Sequence, residues 1–109
     1  MIDRKVALSR VGGDTELLKE IAILFLETYP DVLQEIRTAA EQCDAQLLER
    51  SAHGLKGSVA NFGAAAAVDA ARLLENMGRT QQMQEATAGL RNLEQALAAL
   101  RPELEALKY

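Results

Sequence analysis

The chain predicts an all-α fold, an antiparallel four-helix bundle with a short extra helix at its N-terminus. Apolar residues recur at three- and four-residue steps through four segments, the last in an unbroken heptad seam. The composition leans on strong helix formers: alanine, leucine, glutamate, glutamine and arginine. No segment shows the alternating β-branched pattern of a strand, and no Asn-Gly or Asp-Gly hairpin signal occurs. With 109 residues, positions 1–109 are expected to form one domain, long enough to bury a core and too short for two.

Each element has its own signal. Ile2 to Ser9 can form a short helix before the Gly12-Gly13 turn. Asp14 then reads as an N-cap, with Glu16 in the first turn complementing the helix dipole. Leu17, Ile21, Leu24, Phe25, Thr28, Val32, Ile36, Ala39 and Cys43 mark the apolar stripe of a long helix over 14–42. Pro30 falls inside it and is expected to kink rather than end it, because the stripe continues in phase. Asp44 caps a second helix over 45–62, with Leu48, Ala52, Leu55, Val59 and Phe62 inward and Gly63 as a left-handed stop. Four alanines open a third helix over 64–77, which buries Val68, Ala71, Leu74 and Met77 and ends at Gly78. Thr80 is expected to cap the last helix, over 81–107. Its seam is Met83, Ala86, Leu90, Leu93, Leu97, Leu100, Leu104 and Leu107, with Pro102 bending or restarting the final turns. Short connections between amphipathic helices make antiparallel neighbours.

Charge and composition exclude several functions. The net charge is −4 with both signs scattered; a nucleic-acid partner calls for a cationic stripe. No apolar run approaches the roughly 20 residues that span a bilayer, and no signal-peptide core opens the chain. A single cysteine, Cys43, cannot form an internal disulfide, which fits a reducing compartment. A cytoplasmic location without direct membrane contact is expected.

The only histidine, His53, lies in Ala52-His53-Gly54-Leu55-Lys56-Gly57, inside the second helix. Each helix-interior glycine costs about 1 kcal/mol relative to alanine, so bare backbone here answers some other requirement. His53, Lys56 and Gly57 share a face at three- and four-residue spacing. A side chain at 57 would lean toward the helix N-terminus, over the imidazole. At about 100° per residue, His53 lies about 140° from Leu48 and about 160° from Leu55, off the core stripe. One histidine with Glu49 supplies too few ligands for a metal. Ser51 and Ser58 point to other faces, which leaves a hydrolase triad without a nucleophile. An exposed nucleophile beside a cation, with clear space above, suits a histidine that receives a phosphoryl group from a bulky protein. Lys56 could offset the added negative charge.

The run Ala52-His53-Gly54-Leu55-Lys56-Gly57-Ser58, followed by Asn61-Phe62-Gly63-Ala64, resembles the signature of histidine phosphotransfer (HPt) domains of phosphorelays. Val11-Gly12-Gly13-Asp14 with Leu17-Leu18 and Phe25, and Leu74-Glu75 with Gly78-Arg79, resemble flanking parts of that family. The resemblance implies that His53 is the phospho-accepting residue, through Nε2, that Lys56 steadies the phosphoryl group and that Gly57 leaves clearance for the partner. By position, Glu75 on the next helix should face the ring, where family members often carry a hydrogen-bonding glutamine. The implied partners are receiver domains, which would bring the aspartate and the Mg²⁺. The domain itself is expected to need no cofactor or metal and to have no kinase site. Such bundles usually serve as modules of hybrid sensor kinases, so tethering to a membrane through a larger protein is a second expectation, and the opening of the chain resembles an excised module. The opposing reading is a structural interaction bundle that keeps the motif unused. A third, an enzyme with His53 as general base, lacks a second catalytic group.

Overall fold

The computed structural model describes residues 1–107. Its elements are α1 (Arg4–Arg10), α2 (Thr15–Glu41), α3 (Ala45–Ala60), α4 (Ala65–Arg79) and α5 (Ala86–Leu107), with a 3-10 turn, Met83–Glu85, leading into α5. No strand occurs among the described residues. The four long helices close into a ring in which α2 and α4 each pack on both α3 and α5. The bundle measures 40 × 19 × 18 Å. No helix among the described residues is long and apolar enough to cross a membrane.

Three aspartates start helices, Asp14 and Asp44 as predicted and Asp3 within the stretch expected to be helical already. Asp3, Asp14 and Asp44 each accept a backbone N–H three residues on, from Val6, Leu17 and Leu47, satisfying one orphan donor of the first turn. The predicted inward faces of α3 and α5 are those observed. Leu48, Ala52, Leu55, Val59 and Phe62 are buried, as are Ala86, Leu90, Leu93, Leu97, Leu100 and Leu104. Met83 and Leu107 pack against them from the edge. Both α2 and α5 continue unbroken through their prolines, Pro30 and Pro102, so α5 does not restart.

The N-terminal half of α2 departs from expectation. The buried face is Leu18, Ala22, Phe25 and Tyr29, one residue round from the stripe read in the sequence. Leu24 is 59% exposed, Leu17 40% exposed, and Thr28 lies on the surface, its hydroxyl donating to the Leu24 carbonyl. Adjacent apolar pairs, Leu17-Leu18 and Leu24-Phe25, let two phases fit equally. The aromatic cluster selects between them: Phe25 stacks on Tyr29 at 5.2 Å and meets Phe62 edge-on at 5.6 Å. Farther along, Cys43 is an exposed turn residue rather than part of the core.

Two glycines act differently from each other. Gly63 adopts φ +62°, and a Cβ there would stand 2.7 Å from that of Asp3. It therefore stops α3 as predicted and also admits α1, whose approach is fixed by Asp3 N–H donating to the Phe62 carbonyl at 2.9 Å. Gly78 does not end its helix; α4 runs on to Arg79, and Gln81 takes the left-handed turn position at φ +58°. A Cβ on Gly78 would lie 2.6 Å from both the Ala45 carbonyl oxygen and the Glu49 nitrogen. Gly78 is a contact residue, there so that two backbones can touch. Thr80 likewise closes α4, its hydroxyl donating to the Asn76 carbonyl, instead of opening α5.

Candidate functional site

The burial of Leu48, Ala52, Leu55 and Val59 turns the opposite side of α3 to solvent, and His53, Gly54, Gly57 and Ser58 are exposed there. The His53 side chain is 67% exposed, so a core role is ruled out. A Cβ added to Gly54 or Gly57 would meet nothing within 4 Å. The fold itself therefore places no demand on either glycine.

Across the α3–α4 seam stands Glu75. It follows Leu74 on the inward edge of α4 and is the single buried carboxylate among the described residues. Both its oxygens are taken. Oε2 lies 2.7 Å from His53 Nδ1, and Oε1 accepts from Lys56 Nζ at 2.6 Å. The Lys56 hydrogen bond holds the Glu75 carboxyl below the usual carboxylate range; burial opposes this, and the His53 bond adds to the lowering. A carboxylate is an acceptor only, so Nδ1 carries the proton in the contact with Oε2. Nε2, on the far edge of the ring, has no hydrogen-bond partner among the described residues. The arrangement fixes the tautomer and leaves a lone pair facing outward.

His53, Lys56 and Glu75 thus form one cluster, with Gly57 one turn along α3 from the histidine. An open hollow lined by Gln46, Glu49, Arg50, His53 and Glu75 lies on the N-terminal side of the ring. Toward the C-terminus of α3, a shallow apolar groove runs between α2 and α3, lined by Ile21, Leu24, Phe25, Thr28, Ser58, Asn61 and Phe62. Sequence reasoning missed this groove because it placed Leu24 inside. It also missed Gln46 and Arg50, whose only signal was spacing, at two turns and one turn before His53. Val6 and Leu8 are half-buried, and Val6 lies close against Gly63, so α1 presents little free apolar surface. Ser51 is buried, its hydroxyl donating to Glu35 at 3.0 Å, away from the histidine face. No group of three or more His, Cys, Asp or Glu side chains that could hold a metal ion occurs among the described residues.

Comparisons with known proteins identify the fold and the family. The crystal structure of histidine-containing phosphotransfer protein B (HptB) from Pseudomonas aeruginosa PAO1 matches with a TM-score of 0.90, covering 98% of this chain and 93% of that one. Sequence identity is 24%, a level at which the likeness shows the fold. No curated protein sequence matches the chain. The family model of the Hpt domain matches residues 20–103, a span that includes α3, α4 and every member of the cluster. The chain belongs to the Hpt family and is a phosphorelay intermediate.

Proposed function

We propose that His53 carries the phosphoryl group, accepting it on Nε2 from a receiver-domain aspartate and passing it to another. The observation that carries this reading is the Glu75 contact, which occupies Nδ1 and so leaves Nε2 as the nucleophile. Lys56 Nζ has three N–H donors and gives one to Glu75; the others are available to a phosphoryl oxygen. Gly57 keeps the approach clear for a folded partner. The Mg²⁺ that aspartyl phosphate chemistry employs belongs to the receiver. The apolar groove beside Gly57 supplies the contiguous surface on which a receiver can rest while its aspartate reaches His53. The reaction takes place in the cytoplasm, with the domain free or joined to a sensor kinase.

In a purely structural bundle the Lys56 partner alone would satisfy the buried carboxylate; its second contact, to an exposed imidazole, is what the carrier reading explains. The test is transfer from a panel of receivers charged with acetyl phosphate and Mg²⁺. Products are read by intact mass and by phosphopeptide mapping at neutral or alkaline pH, because the phosphoramidate bond is acid-labile. The parent should gain one phosphoryl group on His53. His53→Gln should gain none while keeping its helicity and, as an exposed position, its stability to within about 0.5 kcal/mol. Equal labelling of that variant would sink the assignment.

A further inference from the structure

Glu75 is bound to the ring nitrogen that does not react, and its chemistry differs from that of an amide at the same place. An ionised carboxylate can only accept hydrogen bonds, whereas an amide can turn to donate or accept. With Oε2 at 2.7 Å from Nδ1, loss of the Nδ1 proton would set two lone pairs against each other at contact distance. The groups that could offset this are few. Lys56 gives one donor to Oε1 of the same carboxylate, the oxygen that does not meet Nδ1, and Glu49 and Arg50 line the hollow beside the ring on its own helix. From α2, Glu35 is engaged by Ser51; on α4, Arg72 pairs with Asp69.

Resting on the assignment of His53 as carrier, we infer that Glu75 keeps the proton on Nδ1 throughout the cycle, so that the phosphorylated ring is held as a phosphoimidazolium. The bookkeeping is closed. On loading, Nε2 attacks phosphorus, the N–P bond forms, and the aspartyl P–O bond breaks with its electron pair leaving on the receiver carboxylate. The Nδ1 proton stays, and the ring becomes cationic. On unloading, the acceptor carboxylate attacks phosphorus and the N–P bond returns its electrons to Nε2, giving neutral imidazole. No proton enters or leaves in either direction. Were Nδ1 bare, the leaving group would be an imidazolate anion, a far poorer one. Glu75 is thus a positioning residue that makes the phosphoryl group easy to pass on and short-lived when no acceptor arrives.

The experiment loads the full chain and Glu75→Gln with phosphoramidate and follows both by ³¹P NMR and by long-range ¹H–¹⁵N spectra of the His53 ring between pH 6 and pH 9. The phosphorylated parent should show a protonated Nδ1 and a lifetime nearly flat across that range. In Glu75→Gln the lifetime should lengthen with pH, reaching roughly tenfold at pH 8, a tenfold change being one unit of displaced protonation. Transfer to a receiver should slow in step. An unprotonated Nδ1 in the phosphorylated parent at pH 8 would overturn the inference without any variant, as would equal lifetimes in two folded proteins. Phosphate found on a residue other than His53 would instead overturn the carrier assignment, a separate and distinguishable failure.

Discussion

The backbone of Gly78 rests directly on that of Glu49, with no room for even a methyl group between them. Gly78 lies one turn after Glu75, and Glu49 one turn before His53. This contact sets the distance between α3 and α4 at which the Glu75 carboxylate meets the imidazole at 2.7 Å. A requirement for close backbone packing and a requirement for a short hydrogen bond are met at neighbouring turns of one seam.

Gly78→Ala should therefore lower stability despite alanine's better helix propensity. The added Cβ would clash with backbone rather than with a flexible side chain, and overpacking of that kind costs about 1–3 kcal/mol. Urea unfolding monitored by helicity reads the loss. Receiver transfer should fall as well, because the seam can relieve the clash only by opening. Unchanged stability would mean that α3 and α4 shift freely.

Gly57→Gln moves the two properties apart. Nothing stands within 4 Å of the new Cβ, so stability should hold or rise, by up to about 1 kcal/mol. The side chain leans over His53, so transfer from receivers should fall while labelling by phosphoramidate persists. Undiminished receiver transfer would show that clearance is not why the glycine is there.

Leu24→Ser tests the apolar groove. The side chain is 59% exposed, so the change in stability should stay within about 0.5 kcal/mol. Receiver transfer should weaken through a higher KM, with phosphoramidate labelling unaffected. A Val6→Ser variant showing the larger transfer defect would move the docking surface to α1.

Acid should weaken the Glu75 cluster in a defined direction. The folded carboxyl is held below its ordinary range, chiefly by Lys56. On acidification the unfolded chain binds the proton first, so the stabilisation is complete above the unfolded value near 4.3 and fades as pH falls through the folded one. The difference in Tm between the parent and Glu75→Gln should shrink below about pH 4. A difference that keeps growing below about pH 4 would contradict the ion pair with Lys56. Lys56→Ala should lower stability at neutral pH by about 1–3 kcal/mol, because it leaves a buried acceptor unpaired, and should slow transfer without abolishing it.

The readable parts of this chain are those where one physical signal has no competitor. The leucine seam of α5 and the aspartate caps are local patterns, and His53 stood out because glycine in a helix interior is costly. The phase of α2 was not readable, because Leu17 and Leu18, or Leu24 and Phe25, satisfy the same spacing. Only packing of Phe25 with Tyr29 and Phe62, residues up to 37 positions apart, decides between them. Gly78 reads locally as a helix stop and is a contact glycine only because Glu49 lies opposite. The place of Glu75 beside the ring follows from family position, but its simultaneous hold on Lys56 is a three-dimensional fact.

The buried side of α4 consists of Ala67, Ala70, Ala71, Leu74, Glu75 and Gly78. Four of these six have no side-chain rotamers, so on this fully buried face docking orders only Leu74 and Glu75, with Val68 and Met77 packing at its edges. Ordering a glutamate side chain costs up to about 1.5–2 kcal/mol, a loss here confined to the one residue whose orientation matters to the histidine. The helix behind the imidazole thus meets its neighbours largely through backbone and Cβ atoms, and Glu75 is the one side chain on that buried face with a polar end to orient.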